Sequence, residues 1–203
     1  MKKFFRNLGF RFSMLKNRTA LLRICNLPPE GVATLTRDEE KLLKGIIQYL
    51  KPSQVATRNG KAIYRLKSIE EIGLWAILDT RRAEDAIRRI EAWTDDNYAP
   101  TTLIDAAKLD KYIVQQLEYA DNLERVVFQN MRNSGESALT GDENIKQAKN
   151  LLGLVQVTAE LFHCSFEDAK KTNYSDAMLA IAKRNDEIEK EKKELKKQQS
   201  KNR

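Results

Sequence analysis

Hydrophobic residues recur at intervals of three and four positions along most of this chain, which is the spacing of one face of an α-helix. The segment that follows Thr36 shows the pattern first, with apolar side chains at Leu42, Leu43, Ile46, Ile47 and Leu50. Thr36 and Glu39 have the spacing of a capping box, so we expect the helix to begin after Thr36. Pro52 lacks a backbone N–H group, and we expect it to end this helix.

The next apolar stripe begins near Ser68, which has Glu71 at capping-box distance. The pattern predicts a helix from Ser68 that pauses at Asp79–Thr80 and then resumes as far as Trp93. Both tryptophans of the chain, Trp75 and Trp93, fall on this stripe. We therefore expect both indole rings in the core.

Two long helices are predicted after the loop that ends at Pro100. The first is capped by Thr101 or Thr102 and runs to about Met131, and the second covers "NIKQAKNLLGLVQVTAELFH". Earlier in the chain, Asn59-Gly60 is a strong turn signal. Its flanks alternate only weakly, so they predict either a turn or a small two-stranded ribbon.

The stretch "LFHCSFEDAKKTNYSDAM", residues 161–178, contains two polar stops. Ser165 and Asp168 have the N-cap spacing of a short helix over "FEDAKK", and Ser175 is the expected cap of a long final helix. Beyond Asn185 this final helix loses its apolar stripe and is charged all round. We expect that tail to be solvated, frayed or bound to a partner.

These elements predict an all-α protein, with a multi-helix body, an extended basic N-terminal arm and a charged C-terminal helix. The few glycines and prolines, eight and four, argue against an all-β chain with many turns. The loop "RNSGESALTGDE" is the best candidate for an internal boundary. We divide the chain into a basic arm (1–30), a helical body (31–133), a C-terminal helical subregion (134–185) and a charged, solvated tail helix (186–203).

The net charge of +7 is concentrated at the two ends of the chain. The N-terminal arm mixes basic and aromatic residues, and its candidate contact residues are Lys2, Lys3, Phe4, Phe5, Arg6, Phe10, Arg11 and Phe12. Basic side chains neutralise phosphates and aromatic rings stack on bases, so the arm suits nucleic acid. It suits equally well a groove of a neighbouring subunit that accepts the phenylalanines, and the residues do not choose between the two.

His163 and Cys164 are the one stretch that resembles a base beside a nucleophile. Adjacent residues on a helix point about 100° apart, so these side chains do not face each other. The chain has no second histidine to complete a metal set, and Cys25, the other cysteine, lies far away in sequence. We expect a packing role at a helix end, and no disulfide between the two cysteines.

Paired carboxylates are the other candidate for chemistry. Glu39–Glu40 and Glu70–Glu71 lie in predicted first helical turns, where negative charge is favoured, and Asp95–Asp96 lies in a loop. None of the glycine-rich phosphate-binding, serine-hydrolase or zinc-protease motifs is present. We therefore expect no catalytic residue, no cofactor and no bound metal. The apolar runs are too short to span a bilayer, so we also expect no membrane partner.

The C-terminal third, residues 145–195, resembles the helical C-terminal segments of small virion and virion-assembly proteins of tailed bacteriophages, particularly the crAss-like group. The resemblance covers about a quarter of the chain and depends on Phe162, Ser165, Asp168, Ala169, Tyr174, Asp176 and Ala177. An all-helical body with basic ends is also similar to the ring-shaped adaptor proteins that lie under a phage portal.

The resemblance implies a structural role without enzymatic activity. The implied protein is an oligomeric head-to-tail connector, which is made in the host cytoplasm and resides in the virion. Its partners would be further copies of itself, portal and tail proteins, and DNA where the basic arm reaches it. Two alternatives stay open: a phage assembly chaperone, or a basic nucleic-acid-binding protein of the ribosome-associated type.

Overall fold

The computed structural model describes residues 18–58, 61–94, 100–128 and 143–201. Helices account for nearly all regular structure in these ranges, and the sheet described there has two strands, which confirms the predicted all-α class. The chain divides into two compact units. Unit 1 comprises Met1–Lys67 and Ala83–Gln115, and unit 2 comprises Ser68–Arg82 and Gln116–Arg203.

The described elements follow one another in a simple order. They are α1 (Arg18–Asn26), a 3₁₀ turn (Pro29–Thr34), α2 (Arg37–Tyr49), β1 (Val55–Arg58), β2 (Lys61–Arg65), α3 (Leu74–Arg82), α4 (Ala86–Ala92), α5 (Leu103–Phe128), α6 (Glu143–Phe162), α7 (Phe166–Lys171) and α8 (Tyr174–Lys201). The internal boundary predicted near residue 133 lies outside the described residues and stays a prediction.

The first core of unit 1 forms where α1 packs against α2. Ile24 is fully buried there, in a cluster with Leu35, Leu42, Leu43 and Ile46. The apolar stripe predicted for α2 therefore faces a helix from the segment that the sequence assigned to the arm. Within residues 1–30, the part from Arg18 onward belongs to the folded unit.

The predicted capping box at the start of α2 is confirmed. The Thr36 backbone N–H donates to Glu39 Oε2 at 2.9 Å, and the Glu39 N–H donates to Thr36 Oγ1 at 3.4 Å. Arg23 of α1 adds a salt bridge from Nη1 to Glu39 Oε1 at 2.9 Å. The Thr36 N–H and the Thr36 hydroxyl both donate to Glu39 Oε2, and these bonds, with a smaller contribution from Arg23, lower the pKa of Glu39 below its ordinary value.

The strands β1 and β2 form an antiparallel ribbon, which confirms the second of the two structures predicted around Asn59-Gly60. The pairing aligns Val55 with Arg65 and is irregular between Ala56 and Thr57. The turn residues themselves lie outside the described residues.

The second half of unit 1 is held by contacts between α4, its flanking residues and α5. Arg89 donates to both oxygens of Asp110, from Nε at 2.6 Å and from Nη2 at 3.0 Å. Such a two-point contact fixes the guanidinium as well as neutralising it. Trp93 is fully buried and meets Tyr112 edge to face, so its predicted core position is confirmed.

Unit 2 is built around α3, which packs against α6, α7 and α8. Its core is lined by Leu74, Ile77, Leu78, Val155, Ala169, Tyr174, Ala177, Met178 and Ile181, all buried. The second half of α5 adds Ala120 and Val127 to the buried residues.

Several predicted helix boundaries were right and others were wrong. Thr102 caps α5 and Ser165 caps α7, as expected. The helix expected from Ser68 begins only at Leu74, because the backbone around Gly73 pairs with another segment instead.

Two further boundaries needed correction. The break expected at Asp79–Thr80 falls after Arg82, because the Asp85 side chain accepts from the Arg88 N–H and caps α4. The final helix begins at Tyr174, which places Ser175 inside its first turn rather than at the cap.

Candidate functional site

The eight candidate contact residues of the arm, Lys2 to Phe12, lie outside the described residues, so their assignment stays a prediction. In unit 2, near the junction of α7 and α8, several charged and polar side chains are hydrogen-bonded to one another. We call Thr172, Asn173 and Tyr174, which join these two helices, the corner.

The corner is fixed to the chain just before α3 by backbone pairing. The Leu74 N–H donates to the Thr172 carbonyl at 2.8 Å, and the Tyr174 N–H donates to the Ile72 carbonyl at 2.9 Å. Gly73 and Asn173 thereby form an isolated antiparallel bridge. These hydrogen bonds join two segments of unit 2 that lie far apart in sequence, and no local sequence pattern predicts them.

A hydrogen-bonded cluster lies behind the corner, and we call Arg81, Asp121, Glu124 and Tyr174 the Arg81 network. Tyr174 is fully buried, and its hydroxyl lies 2.8 Å from Glu124 Oε1 and 3.1 Å from the Ala120 carbonyl. Arg81 Nη1 donates to Glu124 Oε1 at 2.9 Å, and Nη2 donates to Asp121 Oδ1 at 2.6 Å. The network therefore joins α3, α5 and α8.

Electrostatics keep Tyr174 and Arg81 each in one protonation state. Burial and the neighbouring Glu124 charge raise the pKa of Tyr174 well above its ordinary value, despite the opposing effect of Arg81. Burial opposes the charge of Arg81, but the hydrogen bond and charge of Glu124 outweigh it and raise the pKa of Arg81. Tyr174 is thus a neutral donor and Arg81 a cation near neutral pH. The cluster acts as a structural joint.

The indole of Trp75, also on α3, is only half-buried. Lys170 Nζ lies 4.7 Å from the Trp75 ring centroid, and Arg82 Cζ lies 5.8 Å from it. Lys170 also contacts the Phe166 ring at 5.1 Å and Glu167 Oε1 at 2.7 Å. The prediction of a fully core Trp75 was therefore wrong, because cations cover part of its face.

The His163–Cys164 stretch ends α6. His163 has a φ of 51°, in the left-handed region, and the Cys164 N–H donates to the Ala159 carbonyl at 3.1 Å. The His163 side chain is exposed, so the packing role expected for it was wrong, although its place at a helix end was right.

Neither cysteine takes part in a disulfide. Cys25 and Cys164 are both free thiols, as predicted. Among the described residues, no group of three His, Cys, Asp or Glu side chains is placed to hold a metal ion.

The carboxylate pairs are used at helix starts and turns. Glu39 belongs to the capping box, and the Ser68 N–H donates to Glu71 Oε2 at 2.8 Å. Asp95–Asp96 lies outside the described residues.

The last part of α8 is the most exposed regular element that the structure describes. Every residue from 191 to 200 is exposed, whereas Ile188 is half-buried. Asn185 Nδ2 donates to the Val127 carbonyl at 3.1 Å, and the half-buried Ile188 lies about one turn beyond Asn185, where the sequence lost its stripe.

No helix within the described ranges is long and apolar enough to cross a membrane. Comparison of the chain with protein-family models, with curated proteins and with solved structures finds no match.

The sequence did not reveal the Arg81 network. Glu124 is 50 residues from Tyr174 in sequence and 43 residues from Arg81. One usable signal was present, since Tyr174 sits on the apolar stripe of α8 and carries a polar tip that needs a partner when buried.

Proposed function

We propose that this protein is a structural component of a bacteriophage particle, an oligomeric head-to-tail connector that acts by protein–protein association. The sequence resemblance of residues 145–195 suggests the particle. The structural observation that carries the proposal is the exposed end of α8, where no residue from 191 to 200 packs on the subunit.

An exposed helix end of this length favours a contact outside the subunit. At 1.5 Å per residue, residues 191–200 extend about 15 Å. Residues 191–200 continue the 28-residue helix α8, and helices in proteins gain most of their stability from the packing of one face. A neighbouring molecule would supply that packing.

The proposed role is associative rather than catalytic. The titratable side chains of the Arg81 network are hydrogen-bonded to one another and hold helices together. Glu124 accepts from both Arg81 and Tyr174. Free groups with matched acid and base roles would instead favour catalysis. A ring strengthens weak contacts, because each contact repeats around the symmetry axis.

The decisive experiment is quantitative mass spectrometry of particles purified from the natural source of this chain. We expect the protein in the particles at a fixed copy number relative to the portal protein. Absence from particles together with binding to unassembled virion proteins would overturn the proposal and indicate an assembly chaperone. Absence together with strongly salt-dependent binding to nucleic acid would indicate the second alternative.

The arm offers a second measurement with matched variants. One variant replaces Phe4, Phe5, Phe10 and Phe12 by Ser, and the other replaces Lys2, Lys3, Arg6 and Arg11 by Gln. If the arm docks on a protein neighbour, the first variant loses incorporation into particles more strongly than the second. If the arm contacts DNA chiefly through phosphates, the order reverses.

A further inference from the structure

The buried face of α8 has a seven-residue repeat. Tyr174, Ile181, Ile188 and Leu195 occupy one repeat position, and their exposure rises along the helix from 0% and 3% to half-buried and then to 57%. A second repeat position lies four residues after each of these, and its first member is the buried Met178. In coiled-coil notation these are the d and a positions.

The repeat continues beyond the last contact with α5. Tyr174 contacts Ala120 and Glu124, and Asn185 contacts Val127, one residue before α5 ends at Phe128. Past this point the stripe continues with Ile188, which is half-buried on its own subunit, and with Leu195, which is exposed. We call residues 185–201, with these two side chains, the tail seam.

The charges beside the tail seam suit a second copy of the same helix. In a parallel pair, each g position faces the e position five residues later in the partner. Arg184 at g therefore faces Glu189 at e of the second copy, and Glu191 at g faces Lys196 at e. Both pairs join opposite charges and are attractive.

The segment 186–201 carries six lysines and five acidic residues, which leaves little net repulsion between copies. The outward f positions hold Lys190 and Lys197, as suits a solvated face. The intrahelical pairs Arg184–Glu187 at 3.5 Å and Lys193–Glu189 at 3.7 Å are exposed and therefore weak competitors.

We propose that the tail seam pairs in parallel with the tail seam of a second copy of this chain. A parallel pair has a two-fold axis along the seam, so both copies present the same surface and point the same way along that axis. The inference deepens the proposed oligomeric role and depends on it only for the local concentration of tails.

The pairing is weak between free subunits. The a positions of the tail seam are polar, with Asn185, Lys192 and Gln199, and polar a residues set register at a cost in stability. Two apolar side chains per copy do not by themselves offset the freedom lost on association. An assembly that holds neighbouring tails together supplies the missing effective concentration.

Thiol cross-linking of the full chain tests the geometry even when few molecules are paired. In a background with Cys25→Ser and Cys164→Ser, single cysteines replace Lys192 or Gln199 at a positions, or Lys197 at an f position as control. All three sites are exposed, so the fold should be unaffected, as circular dichroism will check. A short bis-maleimide is added across a range of protein concentrations.

We expect dimers of the 192 and 199 variants to form several-fold faster than dimers of the 197 variant. Equal rates at all three positions would overturn the proposal. An antiparallel pair could bring only one of the two a positions next to itself, so cross-linking at just one of them would also overturn it.

A seam variant and a matched control complete the test. Leu195→Asp should reduce cross-linking at both a positions to the level of the 197 control. Leu179→Asp changes a more exposed leucine, at 66%, on the same helix but off the seam, and should leave the rates unchanged. Equal effects of the two changes would contradict pairing through the seam. Particle copy number is a separate readout, so the proposed function can fail while the cross-links persist, and the reverse.

Discussion

The Tyr174 hydroxyl lies 2.8 Å from Glu124 Oε1 in the interior of unit 2. Tyr174 is the first residue of α8, and Glu124 lies near the end of α5. This hydrogen bond therefore joins the start of α8 to the last part of α5. Arg81 reaches the same carboxylate oxygen from α3. The stability of unit 2 should therefore respond to each member of the contact.

Replacing Tyr174 by Phe should lower the free energy of unfolding by about 1–3 kcal/mol, because the Ala120 carbonyl and the half-buried Glu124 carboxylate lose the hydroxyl as a donor, while Glu124 keeps its bond from Arg81. Urea unfolding followed by circular dichroism measures this. The control is Tyr119→Phe on the exposed face of α5, where Tyr119 is 56% exposed and little change is expected. Equal effects of both changes would contradict the assigned role of the hydroxyl.

The raised pKa of Tyr174 gives a signed prediction for alkaline solution. The unfolded chain releases the Tyr174 proton near its ordinary pKa of 10.0, whereas the folded chain retains it to higher pH. The contribution is therefore fully present below pH 10 and is lost as the pH rises above it, by about 1.4 kcal/mol per pH unit for one group. The stability difference between the wild type and Tyr174→Phe should shrink above pH 10. A constant difference would show that Tyr174 titrates normally.

Arg81 and Arg82 are adjacent, but only Arg81 belongs to the network. Arg81→Gln leaves Glu124, whose side chain is 22% exposed, without its cation, and should lower the free energy of unfolding by about 2–3 kcal/mol. Arg82→Gln removes only an exposed contact with the Trp75 ring and should cost less than about 1 kcal/mol. The reverse order of the two melting midpoints would refute this assignment.

The stability of unit 1 should fall in acid, in part because Glu39 becomes protonated. Its folded-state pKa is lowered, so its contribution is present above the ordinary pKa of 4.5 and is lost as the pH falls. We expect Glu39→Gln to weaken the decline in stability from about pH 6 to about pH 3. Glu40→Gln changes the exposed neighbour in the same helical turn and should leave the decline intact. Melting curves at several pH values distinguish the two variants.

Truncations of α8 locate the end of its packing. A chain that stops after Glu189 keeps Asn185 and Ile188 and should unfold within about 0.5 kcal/mol of the full chain. A chain that stops after Arg184 loses the hydrogen bond to Val127 and the half-buried Ile188, and should be about 1–2 kcal/mol less stable. A large loss on removal of 190–203 alone would mean that the exposed end packs on its own subunit.

Local signals in the sequence predicted the helices and several of their caps. Thr36, Thr102 and Ser165 were identified as caps because an N-cap depends on residues only two or three positions away. The same reasoning failed at Ser68. The Ile72–Leu74 backbone pairs with the corner about a hundred residues further along, and that pairing prevents the helix from starting earlier.

The sequence by itself determined that this chain is helical, where most of its helices lie and that α8 ends in a charged tail. Those properties follow from the spacing of apolar and polar residues over one or two turns. Only the tertiary structure decided that Arg81, Glu124 and Tyr174 meet, that Trp75 lies under cations while Trp93 is buried, and that packing on α8 extends to Ile188. These contacts join residues far apart in sequence, and the packing of three or more helices selects which of many polar and apolar side chains become neighbours.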